Sequence, residues 1–291
     1  MLNWHQFQMS DKKKIFSLFQ EFSAEQKEEL DVDRNINSDT LLIDGMNTFM
    51  RVWSMYPTTN DNGDHIGGYT GFLKSIGHAI RLRKPTRCVV IFDGKGGSAR
   101  RRKIFPDYKM KKNVRFRVNR ALSLDLDQTE ESSSMKYQIV KLIQYLNMLP
   151  VTTICMDNVE ADDVMALLAR SYFSGLGKKC TIMSTDKDFL QLVDEDVTVY
   201  SPTKRTIYTP EKVSLEYGIH PNNFLLYRTI DGDRGDNIDG MKGVGEKKLK
   251  TAFPELAETT PLNREDLIKI SEDKLKEMPL YKNFLKEDNQ Q

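Results

Sequence analysis

Short apolar runs alternate with longer segments of helical periodicity along most of this chain. Five runs rich in β-branched and other apolar residues predict strands, at 40–44, 87–93, 151–156, 180–184 and 197–200. Apolar residues at helical spacing predict helices at 69–83, 135–149, 161–173 and 221–230. Because strands and helices alternate, the pattern predicts the α/β class, with a mainly parallel central sheet and helices on both of its faces.

Carboxylates follow four of the five predicted strands. Two strands end in an Asp-Gly pair and two are followed by acidic clusters, which gives Asp44, Asp93, Glu160, Asp162, Asp163, Asp186 and Asp188. The carboxyl ends of parallel strands meet at one edge of a sheet, so these side chains are expected to lie together. A pair of like charges about 4 Å apart repels by roughly 4 kcal/mol at an effective dielectric constant of about 20. Hard divalent cations such as Mg²⁺ or Mn²⁺ relieve that repulsion, and the pattern therefore predicts a metal-dependent active site.

A purely structural role is the simpler interpretation of any one of these acids. A lone Asp-Gly pair is most often a turn, and an Asp before a helix is often its N-cap. Turns and caps do not explain why several strands of one sheet end in the same way. We therefore favour the metal site for the set as a whole.

The overall composition is that of an ordinary soluble globular protein. The 291 residues are 39% hydrophobic and 29% charged, and the net charge of +1 identifies no class of partner. Cys88, Cys155 and Cys180 each lie in an apolar run, which predicts buried, reduced thiols and a cytoplasmic protein. No apolar run is long enough to span a membrane and no secretion signal is present, so neither insertion nor secretion is expected.

The segment 100–120 is strongly basic. It carries ten Lys or Arg residues and one acid, a local net charge of +9, with Phe105, Tyr108 and Phe116 interleaved. Basic side chains neutralise phosphates and aromatic rings stack on exposed bases, so this composition suits a nucleic acid strand. A charge run is more commonly a solvated face, but this one directly follows a strand that ends in a candidate metal ligand. We expect 107–134 to be a mobile insertion over the site and Lys111, Lys112 and Arg115 to contact DNA.

A glycine-rich segment follows the sheet. It adds the carboxylates Asp233 and Asp236 and then a Gly-x-Gly turn at Gly243 and Gly245 that opens a basic helix. Free backbone N–H groups and a positive helix end suit an anion such as a DNA phosphate, so this turn, with Lys247 and Lys248, is a second candidate DNA contact. The chain has no P-loop pattern, which disfavours a nucleotide-binding interpretation.

Taken in order, these motifs resemble those of the flap endonucleases and 5′→3′ exonucleases, above all the phage members and the 5′-nuclease domain of bacterial DNA polymerase I. The matching motifs are Ile-Asp-Gly-Met-Asn, Ile-Phe-Asp-Gly, Phe-Pro-Asp-Tyr-Lys, Glu-Ala-Asp-Asp, Ser-Thr-Asp-Lys-Asp-Phe and Gly-Asp-Arg-Gly-Asp-Asn-Ile followed by Gly-Val-Gly-Glu-Lys. They span 41–249. The resemblance implies a PIN/5′-nuclease-like fold with a helical arch and a small helical lobe that contains a helix-two-turn-helix motif.

The resemblance also implies roles for individual residues. It implies one metal group at Asp44, Asp93, Glu160 and Asp162, and a second at Asp186, Asp188, Asp233 and Asp236, with Asp163 nearby or shared. Two Mg²⁺ ions are expected, with Mn²⁺ as a substitute, and K⁺ at the helix-two-turn-helix element, 240–250. Lys109 matches the family's active-site lysine, Arg101 a basic residue at the base of the arch, and Tyr108 an aromatic residue on which the terminal base can stack.

The function implied is that of a structure-specific, metal-dependent 5′ nuclease acting in replication or repair. Its expected substrates are DNA with 5′ ends, flaps or junctions, and also RNA–DNA hybrids from which it would remove RNA primers. We expect a monomer in the cytoplasm, which for a phage-encoded protein is the cytoplasm of the host. The expected organisation is an N-terminal helical extension (1–38), an α/β nuclease core (39–210) and a helical DNA-binding lobe (211–291). We also expect no closing helix after the helix-two-turn-helix element.

Three alternatives remain open. A PIN-like ribonuclease would share the acid-ended sheet but would not need the Gly-x-Gly element or the arch. A DNA-junction binding protein with a weak or vestigial metal site would keep the basic surfaces, although relief from catalysis should let its carboxylates drift towards neutral residues. An aspartate-nucleophile phosphatase would use the Asp-x-Asp spacing of Asp186 and Asp188, but nothing else in the sequence requires a phosphoenzyme.

Overall fold

The computed structural model of this chain describes residues 38–110, 128–173 and 178–285. The expected N-terminal extension lies outside those ranges apart from Ser38. The candidate DNA contacts Lys111, Lys112 and Arg115, and most of the expected insertion 107–134, lie outside them as well.

A six-stranded sheet forms the centre of the fold. The strands are β1 (Asp39–Asp44), β2 (Arg87–Asp93), β3 (Thr152–Met156), β4 (Lys179–Met183), β5 (Val197–Ser201) and β6 (Thr206–Tyr208). Their order is β3-β2-β1-β4-β5-β6, and every neighbouring pair is parallel except β5 and β6. The five predicted strands and the mainly parallel sheet are confirmed, whereas β6 was missed. The strand order reverses between β1 and β4, which is where open α/β sheets commonly bind ligands.

The strands are apolar on both faces because each face covers its own hydrophobic core. Along β1, Leu42 belongs to one core, whereas Leu41 and Ile43 belong to the other. All three side chains are fully buried. Side chains alternate between the two faces of a strand, so a strand covered on both sides reads as a continuous apolar run.

Ten α-helices surround the sheet within the described ranges. They are α1 (Gly45–Met55), α2 (Gly67–Arg83), α3 (Ala99–Ile104), α4 (Gln128–Leu146), α5 (Ala161–Leu167), α6 (Pro210–Tyr217), α7 (Phe224–Asp231), α8 (Glu246–Ala252), α9 (Arg264–Asp273) and α10 (Pro279–Phe284). A π-helical segment, Leu168–Phe173, continues α5, and a 3₁₀ helix spans Lys187–Leu192. The four predicted helices are confirmed, with boundaries shifted by up to seven residues. None of these helices is long and apolar enough to cross a membrane.

The structure corrects three expectations. Residues 128–134 belong to α4 and not to a mobile insertion, since Glu130 and Glu131 sit favourably in its first turn. Helices α9 and α10 follow the glycine-rich segment, so the expectation of no closing helix was wrong; α9 begins with a capping box formed by Asn263 and Asp266. Cys155 is exposed because its strand, β3, lies at the edge of the sheet, whereas Cys88 and Cys180 are buried as expected.

The helices after the sheet pack into one of its two cores. Val213 of α6, Phe224 of α7, Leu249 of α8 and Tyr281 of α10 are buried in the same core as Leu42 of the central strand β1. This packing fixes α7, and the glycine-rich segment that follows it, with respect to the carboxyl ends of the strands.

Candidate metal centre and nucleic-acid site

Asp44 and Asp186 lie on either side of the point where the strand order reverses. Asp44 ends β1 and is 6% exposed. Its Oδ1 accepts a hydrogen bond from the Asn47 backbone N–H at 3.0 Å, and its Oδ2 accepts one from the Ser184 hydroxyl at 2.9 Å. Asp186 follows β4, and its Oδ1 accepts from the Asp188 backbone N–H at 2.9 Å. The ends of two adjacent strands therefore hold these carboxylates in fixed positions.

Asp93 ties the end of β2 to the start of α5, because its Oδ1 accepts from the Ala161 backbone N–H at 2.8 Å. The glycines after Asp44 and Asp93 allow neighbouring strand ends to approach. A Cβ on Gly45 would overlap the Phe92 ring, and a Cβ on Gly94 would overlap the Met156 carbonyl. The Asp-Gly pairs thus do cap and turn the chain, as the simpler interpretation holds. Asp93 and Asp186 nevertheless each use only one carboxylate oxygen in these bonds. Their second oxygens have no hydrogen bond within the described part of the chain.

Burial and mutual repulsion raise the pKa of the central carboxyls. For Asp44, burial raises the pKa to about 6; bonds from Asn47 and Ser184 oppose the shift and the charges of Asp186 and Asp93 add to it. Burial also raises the pKa of Asp162, to about 7, with further contributions from Asp44 and Asp186. The pKa of Asp186 is raised by burial and by other acids beside it. The folded chain thus concentrates negative charge that its own side chains do not neutralise.

Two basic side chains contact Glu160, which precedes α5. Glu160, 2% exposed, is in ion-pair contact with Arg101 and with Lys109, whose Nζ lies 2.6 Å from Oε1. The Tyr108 hydroxyl donates to Glu160 Oε2 at 3.2 Å, and Arg101 also binds Asp163 at 2.8 Å. The structure therefore brings together Arg101, Tyr108 and Lys109, which the sequence resemblance assigned to the site.

Lys109 is held in an unusual backbone conformation. Its φ is +53°, in the left-handed region that non-glycine residues seldom adopt, and its backbone N–H donates to the Asp236 carbonyl at 2.9 Å. Burial alone would lower the pKa of Lys109, but the hydrogen bond to Glu160 and the charges of Asp236 and Glu160 outweigh it and raise the pKa. Lys109 therefore stays fully charged at neutral pH, at a position that the chain holds at some cost.

Arg228 was missed by sequence reasoning. It projects from α7 and forms ion pairs with Asp188 at 2.6 Å, Asp233 at 2.6 Å and Asp231 at 3.1 Å. The only signal in the sequence was its i,i+3 spacing to Asp231 on a predicted helix. The other two contacts depend on the fold, which places α7 beside the residues that follow β4.

The predicted metal ligands fall into two classes. Four of them form ion pairs with basic side chains, and five do not within the described part of the chain: Glu160, Asp163, Asp188 and Asp233 in the first class, and Asp44, Asp93, Asp162, Asp186 and Asp236 in the second. Among the described residues no three acidic, His or Cys side chains converge closely enough to form a ligand set for one ion. The division into two metal groups therefore stays a prediction.

The chemistry of the second class nevertheless fits a hard divalent cation. Its members offer only carboxylate oxygens, and besides burial the negative charges of neighbouring carboxylates contribute to the raised pKa values of Asp44, Asp162 and Asp186. A divalent cation among them would remove that repulsion and accept ligands of the preferred type. Asp44, Asp93, Asp162 and Asp186 are the residues that would hold it.

We predict that Asp162→Asn raises the thermal stability of the metal-free protein by a few degrees. The pKa of the Asp162 carboxyl is about 7 in the folded protein against the ordinary 3.8. The contribution of this group to the free energy of unfolding is therefore fully present below about pH 4 and is lost as the pH rises through 7. The variant should lack this loss. Thermal unfolding in EDTA between pH 4 and 8 measures the difference.

The same experiment includes metal and a control. Adding Mg²⁺ at pH 7.5 should raise the melting temperature of the wild type more than that of Asp162→Asn, since ligand binding to the native state stabilises it. Asp61→Asn, in an exposed loop, should behave as the wild type. Equal melting temperatures of wild type and Asp162→Asn at every pH would contradict the repulsion inferred here.

The glycine-rich segment lines a cavity of about 740 Å³ that Asp186 and Arg228 also line. Gly243, Gly245, Lys247 and Lys248 are exposed, and a Cβ at either glycine would meet nothing within 4 Å. Helices α7 and α8 flank the turns of this segment, which is the order of elements that a helix-two-turn-helix motif requires. An open surface of backbone and lysine suits the contour and charge of a phosphate backbone.

The ring of Tyr108 is less accessible to a nucleotide base than the sequence suggested. Its ring is 5% exposed and lies between the cations of Arg101 and Lys109, at 5.8 and 5.2 Å from the ring centroid. A base cannot stack on a ring that is covered in this way unless the neighbouring groups move. That a terminal base stacks on Tyr108 therefore stays a prediction, and in this structure the Tyr108 hydroxyl donates to Glu160.

Comparison with known families finds a match over most of the described sheet and the helices around it. Residues 39–218 match the family described as 5′-3′ exonuclease, N-terminal resolvase-like domain. The 5′-3′ exonuclease of Aquifex aeolicus is 31% identical over 71% of this chain and 65% of the relative. The thermostable DNA polymerase I of Thermus thermophilus is 30% identical over 71% of this chain but only 23% of the polymerase. The chain therefore matches less than two thirds of the first relative and less than a quarter of the second.

Solved structures show the same fold. The bacteriophage T5 5′-exonuclease with bound zinc ions is 19% identical, with a TM-score of 0.63 over 84% of this chain and 83% of the phage protein. The bacteriophage T5 flap endonuclease in a pseudo-enzyme–product complex with DNA and metal ions is 22% identical, with a TM-score of 0.62 and the same coverage. At these identities the likeness establishes the architecture, and the PIN/5′-nuclease-like fold class is confirmed.

Proposed function

The chain belongs to the family of 5′-3′ exonucleases that share a resolvase-like N-terminal domain, and from that premise we propose that it is a divalent-metal-dependent 5′ nuclease that hydrolyses DNA phosphodiesters. The proposed substrates are strands with 5′ ends, flaps or junctions. The observation that carries the proposal is the set of carboxylates without ion-pair partners in the described part of the chain, of which Asp44 is buried, at the point where the strand order reverses. Arg101, Lys109 and the glycine-rich surface lie beside this set.

The carboxylates and the basic residues have separate roles in this proposal. Asp44, Asp93, Asp162 and Asp186 hold the metal, which we propose to be Mg²⁺ with Mn²⁺ as a substitute. When bound, such ions activate water and neutralise charge on the scissile phosphate. Lys109 and Arg101 stand beside Glu160 and offer positive charge where negative charge grows during phosphodiester cleavage.

The glycine-rich surface has the role of holding the duplex. Gly243 and Gly245 expose backbone, Lys247 and Lys248 add charge, and Asp186 lies on the same cavity. A duplex held there by its phosphates would present the adjoining single strand to the carboxylates. We include in the proposal a monovalent cation such as K⁺ at this element, and a helical lobe beginning near residue 211 as the duplex-binding part of the chain.

One experiment tests the proposal directly. A 5′-end-labelled DNA with a single-stranded flap is incubated with the protein in Mg²⁺ and in EDTA. A second substrate, with an RNA flap in place of the DNA flap, is incubated with the protein in Mg²⁺. Metal-dependent release of short 5′ products from the DNA flap is expected, and their length locates the cut. Cleavage of RNA alone would instead identify a PIN-like ribonuclease. Tight binding without cleavage in Mg²⁺ or Mn²⁺ would identify a junction-binding protein.

A further inference from the structure

The segment between α7 and α8 begins with a compact loop, 232–240, which we call the linking loop. Glycine is required where its two ends meet, since a Cβ on Gly232 would overlap the backbone of Gly240. Asp233 and Ile238 then exchange two backbone hydrogen bonds, of 2.9 and 2.8 Å. The linking loop is therefore closed at its base and crossed by paired backbone, so we expect it to move as one unit.

One side of the linking loop belongs to the glycine-rich cavity. Arg228, Asp233 and Gly235 all line that cavity. The Arg228 guanidinium donates to Asp233 Oδ2 at 2.6 Å, and Asp233 Oδ1 accepts from the backbone N–H groups of Gly235 and Asp236. The cavity wall and the tip of the loop are thus connected by a continuous set of hydrogen bonds.

The tip of the linking loop contacts the turn that contains Lys109. The Asp236 carbonyl accepts from the Lys109 backbone N–H at 2.9 Å. The Asn237 side-chain amide donates to the Asp107 carbonyl at 3.1 Å, across 130 residues of sequence. The same Asp107 carbonyl accepts from the Met110 N–H at 3.0 Å, which closes the turn. The loop therefore holds this turn both at its first residue and at Lys109 itself.

Asn237 has the properties of a residue that supports this contact. Its φ is +62°, in the left-handed region where asparagine is found more often than most residues with a side chain. Its amide is neutral, which makes it a poor partner for a phosphate, and it does not line the glycine-rich cavity. The side chain instead donates to the turn that contains Lys109. The metal centre and the duplex surface do not account for this residue.

The turn needs support because the Lys109 backbone, with φ of +53°, lies in a disfavoured region. The Lys109 ammonium is held by Glu160 and its backbone by the linking loop. A residue in such a conformation persists only when its surroundings hold it there. The position of the ammonium therefore depends on the loop as well as on Glu160.

We propose that the linking loop couples the glycine-rich cavity to Lys109, with Asn237 as the positioning residue. Duplex bound at the cavity stabilises the loop, and the loop then holds the Lys109 ammonium in place for cleavage. A ligand shifts a conformational equilibrium towards the state that it binds better. This inference rests on the proposed nuclease function and gives it a basis for acting on a strand that is joined to duplex.

The first test is a double-mutant cycle between Asn237 and Lys109. Glycine adopts the left-handed region without strain, so Asn237→Gly removes the amide and keeps the backbone of the loop. The variant should cleave flap DNA about fivefold more slowly in single turnover at saturating protein, the effect of one hydrogen bond. Duplex binding, measured by fluorescence anisotropy in EDTA, should be unchanged.

The cycle is completed in the Lys109→Ala background. If Asn237 acts through Lys109, the double variant should cleave no more slowly than Lys109→Ala alone. A residue with a general structural role would slow both backgrounds equally, and multiplication of the two effects would overturn the proposal. Cleavage by Lys109→Ala at the wild-type rate would overturn it as well.

Asn158→Gly is the matched control. Asn158 also has φ of +62° and is exposed, in the turn between β3 and α5. Its side chain forms no hydrogen bond with the described residues. The same chemical change at the same backbone conformation should leave the rate of flap cleavage at the wild-type value in both backgrounds, apart from the loss due to Lys109→Ala. Thermal unfolding checks that both glycine variants are folded.

The second test does not depend on cleavage of DNA. Each protein is treated briefly with trypsin in EDTA, with and without a blunt duplex, and the fragment that ends at Lys109 is followed by mass spectrometry. Duplex should slow this cut in the wild type and in Asn158→Gly. Asn237→Gly should be cut faster without DNA and should gain little protection from duplex. Equal protection of Asn237→Gly and the wild type would show that DNA shields the bond directly, which would overturn the coupling.

The two tests separate this inference from the proposed function. A protein in which duplex protects the Lys109 bond through Asn237, but which cuts no DNA in Mg²⁺ or Mn²⁺, would disprove the nuclease activity and keep the coupling. A protein that cuts flap DNA at the same rate with and without Asn237→Gly would keep the nuclease activity and disprove the coupling.

Discussion

Replacing Asp186 or Asp44 by asparagine is expected to lower the rate of flap cleavage by on the order of a thousandfold or more, with little loss of DNA binding. Both side chains follow strands at the point where the strand order reverses, and both belong to the set without ion-pair partners among the described residues. Asparagine keeps one oxygen that can accept from Asn47 at position 44, or from the Asp188 backbone N–H at position 186. The local turns should therefore persist while one negative charge is lost.

The measurement is single-turnover cleavage of a labelled flap, together with binding of the same DNA in EDTA. Asp61→Asn serves as the control, since Asp61 is exposed in the loop between α1 and α2 and is not a predicted metal ligand. Cleavage by both site variants at close to the wild-type rate would exclude the metal centre proposed here. A loss of binding that matches the loss of cleavage would instead show that these carboxylates organise the DNA surface.

The carboxylates could be predicted from sequence because each follows a strand that is itself visible as an apolar run. Parallel pairing then places Asp44, Asp93 and Asp186 at one edge without further knowledge of the fold. The same residues also cap helices and turns, as at Ala161 and Asp188. The structural and the metal-binding interpretations were therefore never exclusive, because capping uses one carboxylate oxygen of Asp93 and of Asp186 and leaves the other available.

Other features of the site depend on contacts between distant parts of the chain. Arg228 reaches Asp188, 40 residues away in sequence, because α7 packs beside the residues that follow β4. Leu225 lies in a predicted helix and Ile104 in the basic segment, and only the structure shows that both apolar side chains stay exposed. Tyr108 looked like an exposed aromatic in a basic segment, whereas it is buried against Glu160. The spacing of apolar residues predicts the helix or strand and its apolar face, but not whether another element covers that face.

Lys109→Ala is expected to slow the cleavage step by on the order of a hundredfold or more while flap binding changes little. The Lys109 ammonium lies 2.6 Å from Glu160, and its pKa is raised, so it carries a full charge throughout the neutral range. Glu160 keeps Arg101 and Tyr108 as partners in the variant, so the buried carboxylate is not left unpaired. The main loss is therefore a positive charge near the phosphate. Single-turnover rates at saturating protein separate this loss from weaker binding.

The backbone at Lys109 requires a control of its own, because a residue with φ of +53° is strained and alanine tolerates that region no better than lysine. Lys84 is also a lysine in the left-handed region, with φ of +48°, at the exposed end of α2. Lys84→Ala should leave the rate unchanged and shift the melting temperature no more than Lys109→Ala does. Lys109→Arg should recover part of the rate, because it restores the charge with a different shape. An unchanged single-turnover rate in Lys109→Ala would remove its proposed role and leave Arg101 as the basic residue that acts on the phosphate.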